Sequence, residues 1–179
     1  MDPLEIISKY YKPRSKAYNI LVTHGHVVAE KALKIARQHN ELLADVKFIN
    51  EAASLHDIGI FMTNSPKLYC FGEHPYLCHG YLGGELLIKE GFPDHALVCE
   101  RHIGVGITTE EIIANKLPLP VRDYIPLSVE EQIICFADTF FSKSGDLLRE
   151  KSVDEVRKSV KRFGNNHLAR FDEWCEIFS

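Results

Sequence analysis

The chain has 179 residues, of which 45% are hydrophobic, and a formal net charge of −4 at pH 7 with histidine neutral. This length and composition predict a single domain with enough apolar residues to form a core. The acidic balance argues against general affinity for duplex nucleic acid, because duplex-binding domains are usually basic, but it leaves nucleotides open as small substrates.

Helical periodicity dominates the first half of the chain. It predicts a short helix near residues 3–10, a long one from about Ser15 to Gln38, and another from about Asp45 to His56. The stretch from Gly59 to Pro75 contains Gly, Pro, Asn and Ser, which are typical of turns, so we expect it to form a long loop.

The second half of the chain continues the helical pattern. Ser128 and Glu131 have the spacing of a capping box and predict the start of a helix. The predicted helices span about residues 76–90, 95–102, a short segment from 108, 128–141, 153–163 and 167–178, with an extended crossing at 117–127. No pair of alternating strands joined by a hairpin turn is present, so the predicted fold class is all-α.

Six ionisable residues interrupt the apolar faces of the predicted helices. They are His24, His56, Asp57, His79, His102 and Asp138. A single buried histidine is most often a hydrogen-bonded core residue, and a buried carboxylate pairs with a charge, binds a metal or takes a proton. Five helical segments that each direct such a group into the core favour one shared site.

The ligand types in this set indicate a metal centre in the core of a helical bundle. Imidazole and carboxylate without thiolate suit divalent Fe, Mn, Zn or Ni, and bundles build dinuclear sites from such inward groups. His56 and Asp57 lie ~100° apart on a regular helix, but Gly59 allows the chain to leave the helix there. Asp57 can then bridge two ions while His56 binds one. His26, two residues from His24, points away, and we expect it outside the metal site.

The order of these residues resembles the HD-domain superfamily of metal-dependent phosphohydrolases, in particular its small HDIG-type single-domain branch. The matching segments are His24-Gly25-His26, Leu55-His56-Asp57-Ile58-Gly59, His79-Gly80-Tyr81, Glu100-Arg101-His102 and Ala137-Asp138-Thr139. The resemblance covers about residues 20–143 of a domain expected to span 1–179, and the helices of 150–179 lie beyond it. It implies an HD-type helical bundle with the metal site in its core.

The resemblance also implies an activity. The family's four-ligand core would map to His24, His56, Asp57 and Asp138, and the binuclear branches add two histidines, here His79 and His102. The expected function is hydrolysis of a small phosphate ester or anhydride, such as a nucleotide or dinucleotide, by a metal-bound hydroxide. Asp57 would orient this hydroxide and is the expected catalytic residue. Arg101 and Lys143 are the expected substrate-binding cations.

Two other functions are compatible with the same six residues. Some HD-domain proteins use a mixed-valence di-iron centre to activate dioxygen, and the ligands alone do not separate this oxygenase from the hydrolase. The other alternative is a metal-bearing domain that binds a nucleotide without turnover.

Partners and location follow from the same observations. We expect a small phosphorylated substrate, no duplex nucleic acid and no membrane, and a homodimer is the base-rate expectation for a soluble oligomer. The N-terminus lacks the apolar run of a signal peptide, and no segment approaches the ~20 apolar residues that span a bilayer. The five cysteines contain no CxxC pair. Reduced thiols in a cytoplasmic protein are therefore expected.

Overall fold

Nine α-helices make up most of the chain in a computed structural model that describes residues 1–179. They are α1 (Pro3–Tyr10), α2 (Lys16–Gln38), α3 (Val46–Leu55), α4 (His79–Lys89), α5 (Pro93–Arg101), α6 (Thr109–Asn115), α7 (Val129–Thr139), α8 (Val153–Val160) and α9 (Asn165–Phe178). The all-α prediction is confirmed. No helix combines the length and apolar character needed to cross a membrane.

Side-chain caps fix where several of these helices begin. Asp2, Ser15 and Asp45 each accept a hydrogen bond from a backbone N–H in the first turn of α1, α2 and α3. The capping box predicted at Ser128 and Glu131 is present at the start of α7. Helices α6 and α8 begin with capping boxes as well. Each box satisfies two backbone N–H groups that a helix start would otherwise leave unpaired.

The segment predicted as a long loop contains regular structure. Short 3-10 turns at Ile58–Met62 and Pro66–Leu68 flank an antiparallel ribbon of β1 (Asn64–Ser65) and β2 (Cys70–Phe71). This ribbon is too short to change the all-α class, but the sequence did not predict it. Strands of two residues are too short to show the alternation of apolar and polar residues by which strands are predicted from sequence.

Two groups of apolar side chains form the main core. The larger group joins α2, α3, α7 and α9, and Phe136 of α7 packs against Phe171 and Phe178 of α9. The smaller group joins α1, α4, α5 and the Ile58–Met62 turn. The buried ionisable residues lie on helices that supply both groups.

A close backbone contact brings the Ile58–Met62 turn against α4. A Cβ atom added at Gly59 would lie 2.2 Å from the carbonyl oxygen of His79 and 2.6 Å from the backbone nitrogen of Gly83. Only glycine leaves room for this approach. The contact places Asp57, just before the turn, beside His79 at the start of α4.

Candidate metal centre

All six predicted site residues come together in the interior. His24, His56, Asp57, His79, His102 and Asp138 are each at most 9% exposed. They are carried by α2, by the end of α3, by the start of α4, by the end of α5 and by α7. Residues up to 114 positions apart in sequence are thus in direct contact, as in the hydrogen bond of His24 with Asp138.

One oxygen of Asp57 belongs to a first group of potential ligands. Asp57 Oδ2 lies 3.4 Å from His24 Nε2 and 3.3 Å from His56 Nε2. Asp138 Oδ1 lies 2.8 Å and 3.5 Å from the same two nitrogens. Two histidines and two carboxylates therefore surround one point.

The other oxygen of Asp57 belongs to a second group. Asp57 Oδ1 lies 3.1 Å from His79 Nε2 and 3.2 Å from His102 Nε2. These two histidine nitrogens are 3.1 Å from each other. Asp57 is thus the one residue whose two oxygens face both groups, which is the arrangement of a bridging carboxylate.

Backbone carbonyls fix the orientation of three of the histidines. His56 Nδ1 lies 2.6 Å from the oxygen of Ala53, His79 Nδ1 lies 2.6 Å from that of Tyr76, and His102 Nδ1 lies 2.7 Å from that of Cys99. A carbonyl only accepts, so each Nδ1 carries the proton and donates it. In the neutral ring, Nε2 then presents its lone pair to the cluster, as in histidines that bind metals.

The carboxylates create a field that favours positive charge at this point. Burial opposes the charge on His56, but Asp57 and Asp138 outweigh it and raise the pKa of His56 to about 10. At His102, burial dominates and lowers the pKa to about 4, so this ring is neutral at pH 7. His56 and His102 therefore differ in charge at pH 7, while burial and the nearby Lys143 lower the pKa of His24.

Lys143 supplies a cation at the first group. Its Nζ lies 3.0 Å from Asp57 Oδ2 and 3.6 Å from Asp138 Oδ1. Burial disfavours the ammonium, but the charges of Asp138 and Asp57 hold the pKa of Lys143 well above its usual value. Lys143 lies four residues after the end of α7. It therefore lies at the site, and its predicted contact with substrate stays a prediction.

The donor set fits divalent metal ions. His56 Nε2 and both oxygens of Asp57 are buried and form no hydrogen bond of good geometry. The Lys143 ammonium faces Asp57 Oδ2 only, so Asp57 Oδ1 has no cation beside it, and a metal ion would compensate its burial. Ligand atoms ~2.1 Å from a common ion lie about 3.0–3.4 Å from each other, and the separations in both groups are close to this range. Donor atoms of His24, His56 and Asp138, and of His56, Asp57 and His102, lie within 4.8 Å of one another.

Other polar residues singled out in the sequence lie apart from the cluster. The Arg101 guanidinium donates two hydrogen bonds to Glu131, at 3.2 and 3.0 Å, so its predicted contact with substrate has no counterpart in this arrangement. His26 is exposed and lies near Glu30, in agreement with its expected position outside the metal site.

Tyr11 and Tyr76 support the cluster, although neither was predicted to do so. Tyr11 donates a hydrogen bond to the oxygen of Ile58 and accepts one from the Phe61 N–H, both at 3.0 Å, which ties the turn after Asp57 to the end of α1. Tyr76 stacks on the ring of His79 with 4.5 Å between centroids. No sequence pattern marks either residue, because both contacts depend on the tertiary fold.

A narrow pocket lies beside the cluster. His24, Asp57 and Lys143 line it, and its walls are otherwise apolar. Tyr11, Ala17, Ile20, Leu21, Ile60, Leu68 and Cys70 form these walls. The segment that contains the short ribbon therefore borders the pocket, through Leu68 and Cys70.

Comparison with known proteins gives relatives in archaea. The chain is 33% identical, over 172 residues, to the tRNA (cytidine(56)-2'-O)-methyltransferase of Thermoplasma volcanium, a match that covers 96% of this chain and 45% of that protein. It is 35% identical, over 127 residues, to the protein of the same name from Picrophilus torridus, covering 70% and 33%. The chain thus spans less than half the length of either methyltransferase. No protein-family model matches the chain, and no solved structure matches it.

These relatives correct several predictions. They carry the name of a tRNA methyltransferase, so the assignment to the HD-domain phosphohydrolases, with Asp57 orienting a hydroxide, is wrong on this evidence. The oxygenase and the nucleotide-binding domain are not supported either. The prediction of a small phosphorylated substrate and no duplex nucleic acid is likewise wrong on this evidence, since the name of both relatives gives tRNA as their substrate. The error arose because buried histidines and carboxylates indicate a metal site but not a reaction.

A third relative matches most of its own length. The chain is 36% identical over 150 residues to the uncharacterized protein MJ0778 of Methanocaldococcus jannaschii, and the match covers 82% of this chain and 79% of that protein. Identity at this level over most of both proteins shows a common family. The chain therefore belongs to the family of this Methanocaldococcus jannaschii protein.

Proposed function

We propose that this chain is a metal-binding helical protein that takes part in the 2'-O-methylation of tRNA. The observation that carries the metal-binding part is the position of Asp57, whose two oxygens each lie 3.1–3.4 Å from the Nε2 atoms of two histidines. Six buried ligands would hold two divalent ions, and Asp57 would bridge them. The metal is Fe, Mn, Zn or Ni on the ligand types alone.

Different residues would bind each of the two ions. His24, His56 and Asp138 would hold one ion and His79 with His102 the other. The carbonyls of Ala53, Tyr76 and Cys99 keep three of the rings oriented. When bound, the ions supply positive charge beside the pocket. Lys143 adds a further positive charge beside the two carboxylates.

The tRNA part of the proposal is supported by the names of two relatives. Both are tRNA (cytidine(56)-2'-O)-methyltransferases, and the matched region is less than half of each. We therefore propose that this chain contributes the binding of tRNA to that process. The five free cysteines, four of them buried, fit a reducing compartment, and we place the protein in the cytoplasm.

The metal-binding part is tested by measuring metal content. Protein purified without an affinity tag is analysed by mass spectrometry, as wild type, as Asp57→Asn and as His26→Asn. We expect about two equivalents of metal in the wild type and in His26→Asn, since His26 is exposed on the same helix as His24. Asp57→Asn should lose both ions. Equal metal content in Asp57→Asn and the wild type would contradict the bridging role.

The tRNA part is tested with a tRNA transcript that carries cytidine at position 56. Binding is followed by fluorescence anisotropy, and methyl transfer by incorporation of label from S-adenosylmethionine. Binding of the transcript, with or without methyl transfer by the chain alone, is expected. Neither binding nor methyl transfer would contradict the tRNA part while leaving the metal measurement as an independent result.

A further inference from the structure

Exposed cations and exposed aromatic rings are close neighbours in sequence of the residues that line the pocket. The residues concerned are Lys12, Arg14 and Lys16, from the loop between α1 and α2 and the first turn of α2, and Lys67, Tyr69 and Phe71, from the ribbon segment. We call these six residues the basic–aromatic surface. It stands out in a chain whose formal net charge is −4.

Alternating burial in the ribbon segment connects this surface to the pocket. Leu68 and Cys70 are buried and line the pocket, while Lys67, Tyr69 and Phe71, which alternate with them, are exposed. Phe71 is 75% exposed and Tyr69 47%. The exposed faces of these two rings, two residues apart, are available to stack with a partner.

The segment before α2 is arranged in the same way. Tyr11 and Ala17 line the pocket, and the cations Lys12, Arg14 and Lys16 between them are exposed. The Lys16 Nζ lies 4.6 Å from the centre of the Tyr69 ring, so the two segments are in contact. Positive charge and aromatic surface therefore lie side by side, next in sequence to residues that line one pocket.

The four cations of this surface are free to bind another molecule. Several other basic side chains are held by carboxylates, for instance Arg122 by Glu100 and Arg157 by Asp172. None of Lys12, Arg14, Lys16 and Lys67 has a carboxylate within 4 Å. Glu73, two residues beyond Phe71, is the nearest acidic residue along the ribbon segment.

We propose that the basic–aromatic surface binds a single-stranded segment of RNA, with phosphates on its cations and unstacked bases on Tyr69 and Phe71. Proteins recognise single-stranded RNA by this combination, whereas a duplex keeps the faces of its bases stacked and out of reach. The inference rests on the proposed function, because tRNA loops supply such segments. It adds the part of the RNA that is bound and the place on the protein that binds it.

The exposed cations near the end of α8 offer a matched control. Lys158, Lys161 and Arg162 are exposed, have no carboxylate within 4 Å, and lie next to Phe163, which is 69% exposed. None of these residues lines the pocket that reaches the metal cluster. Removing them changes the net charge by the same amount as removing three cations from the basic–aromatic surface.

The test compares the wild type with two triple variants, Lys12→Ala/Arg14→Ala/Lys67→Ala and Lys158→Ala/Lys161→Ala/Arg162→Ala. Fluorescence anisotropy at several salt concentrations measures the binding of three RNAs. They are the tRNA transcript, a single-stranded oligonucleotide with the sequence of a tRNA loop, and the same oligonucleotide in duplex form. We expect the first variant to bind tRNA and the single strand at least about tenfold more weakly, with a salt slope reduced by about 2, since each phosphate contact contributes about 0.7 on a single strand.

Two single variants test the aromatic rings. Phe71→Ala and Tyr69→Asn should each weaken binding of the single strand about tenfold, because each removes one stacking platform. Asparagine is chosen at position 69 because Tyr69 has a φ of 57°, a left-handed conformation that asparagine tolerates. Circular dichroism and metal content, measured on each variant, separate loss of the surface from loss of the fold.

The outcomes distinguish this inference from the proposed function. Two outcomes would overturn the inference and leave the proposed function standing. In the first, the Lys12/Arg14/Lys67 variant binds tRNA as strongly as the wild type. In the second, the α8 variant loses tRNA binding instead. Equal affinity for the duplex and the single strand would also overturn it. Binding of the single strand at this surface without binding of tRNA would support the surface and contradict the tRNA part of the proposed function. Absence of binding to both tRNA and the single strand would overturn the inference and the tRNA part of the proposed function.

Discussion

Replacing Gly59 with alanine tests how the fold holds the two halves of the metal cluster together. The new Cβ would lie 2.2 Å from the carbonyl oxygen of His79, whereas an ordinary contact begins at 3.4 Å. This oxygen and the Gly83 nitrogen, 2.6 Å from the new Cβ, are both backbone atoms that cannot rotate away. The Ile58–Met62 turn and α4 must therefore separate by about 1 Å, a displacement of the size that metal and catalytic sites do not tolerate.

This displacement has two measurable consequences. Overpacking of a tight contact costs about 1–3 kcal/mol, and for a chain of this size that corresponds to a decrease of roughly 2–12 °C in Tm. The distance from Asp57 Oδ1 to His79 Nε2, which is 3.1 Å, would increase to about 4 Å and leave the range of about 3.0–3.4 Å that separates neighbouring ligands of one ion. We expect metal content, measured by mass spectrometry, to fall from about two ions per chain to about one.

Gly91→Ala is the matched control for this substitution. Gly91 follows α4 with a φ of +88°, and no atom lies within 4 Å of a Cβ built there. Alanine at position 91 should cost about 1 kcal/mol in backbone strain and should leave the metal content unchanged. Metal content and Tm of Gly59→Ala equal to those of the wild type would refute the reasoning, because the close approach would then not position the cluster.

Three further predictions follow from the site. The double variant His79→Ala/His102→Ala should retain about one metal ion per chain, since both ligands of the second group are lost while His24 and Asp138 remain; complete loss on metal analysis would show that the two groups are not separable. Lys143→Met should destabilise the metal-free protein by about 3 kcal/mol in urea unfolding, because two buried carboxylates lose their cation, and calorimetry should show tighter metal binding; unchanged values for both would remove Lys143 from the site. Cys175 is the one thiol that is not buried and should react first with a thiol reagent in the native protein, with the other four reacting only on unfolding; rapid reaction of all five would contradict the described packing.

Much of the helical architecture could be predicted because its signals are local. The capping box of Ser128 and Glu131 and the apolar periodicity each act within a few residues, so the sequence displays them directly. The ribbon of Asn64–Ser65 and Cys70–Phe71 could not be predicted, because strands of two residues have no period. Their pairing is stabilised by packing of Leu68 and Cys70 in the core, which only the tertiary structure shows.

The ligand cluster was predictable from residue type and position, whereas its surroundings were not. A histidine or aspartate on an apolar helix face is conspicuous, and all six such residues do meet in the interior. Arg101 was expected to contact substrate because it precedes His102. Its guanidinium donates hydrogen bonds to Glu131, a contact that the sequence did not indicate, and the contact with substrate stays a prediction. The reaction was not predictable from the ligands, since the same donor types serve different chemistries.

The central claim, that the six buried residues hold two metal ions, is tested most directly by anomalous X-ray scattering. The protein is purified without a tag and crystallised, and data are recorded at the absorption edge of the metal found in it. The account predicts two peaks per chain, one in contact with each oxygen of Asp57, with His24, His56 and Asp138 around the first and His79 with His102 around the second. No peak at these residues, after growth in a medium that contains Fe, Mn, Zn and Ni, would contradict the account and assign the six buried groups a purely structural role.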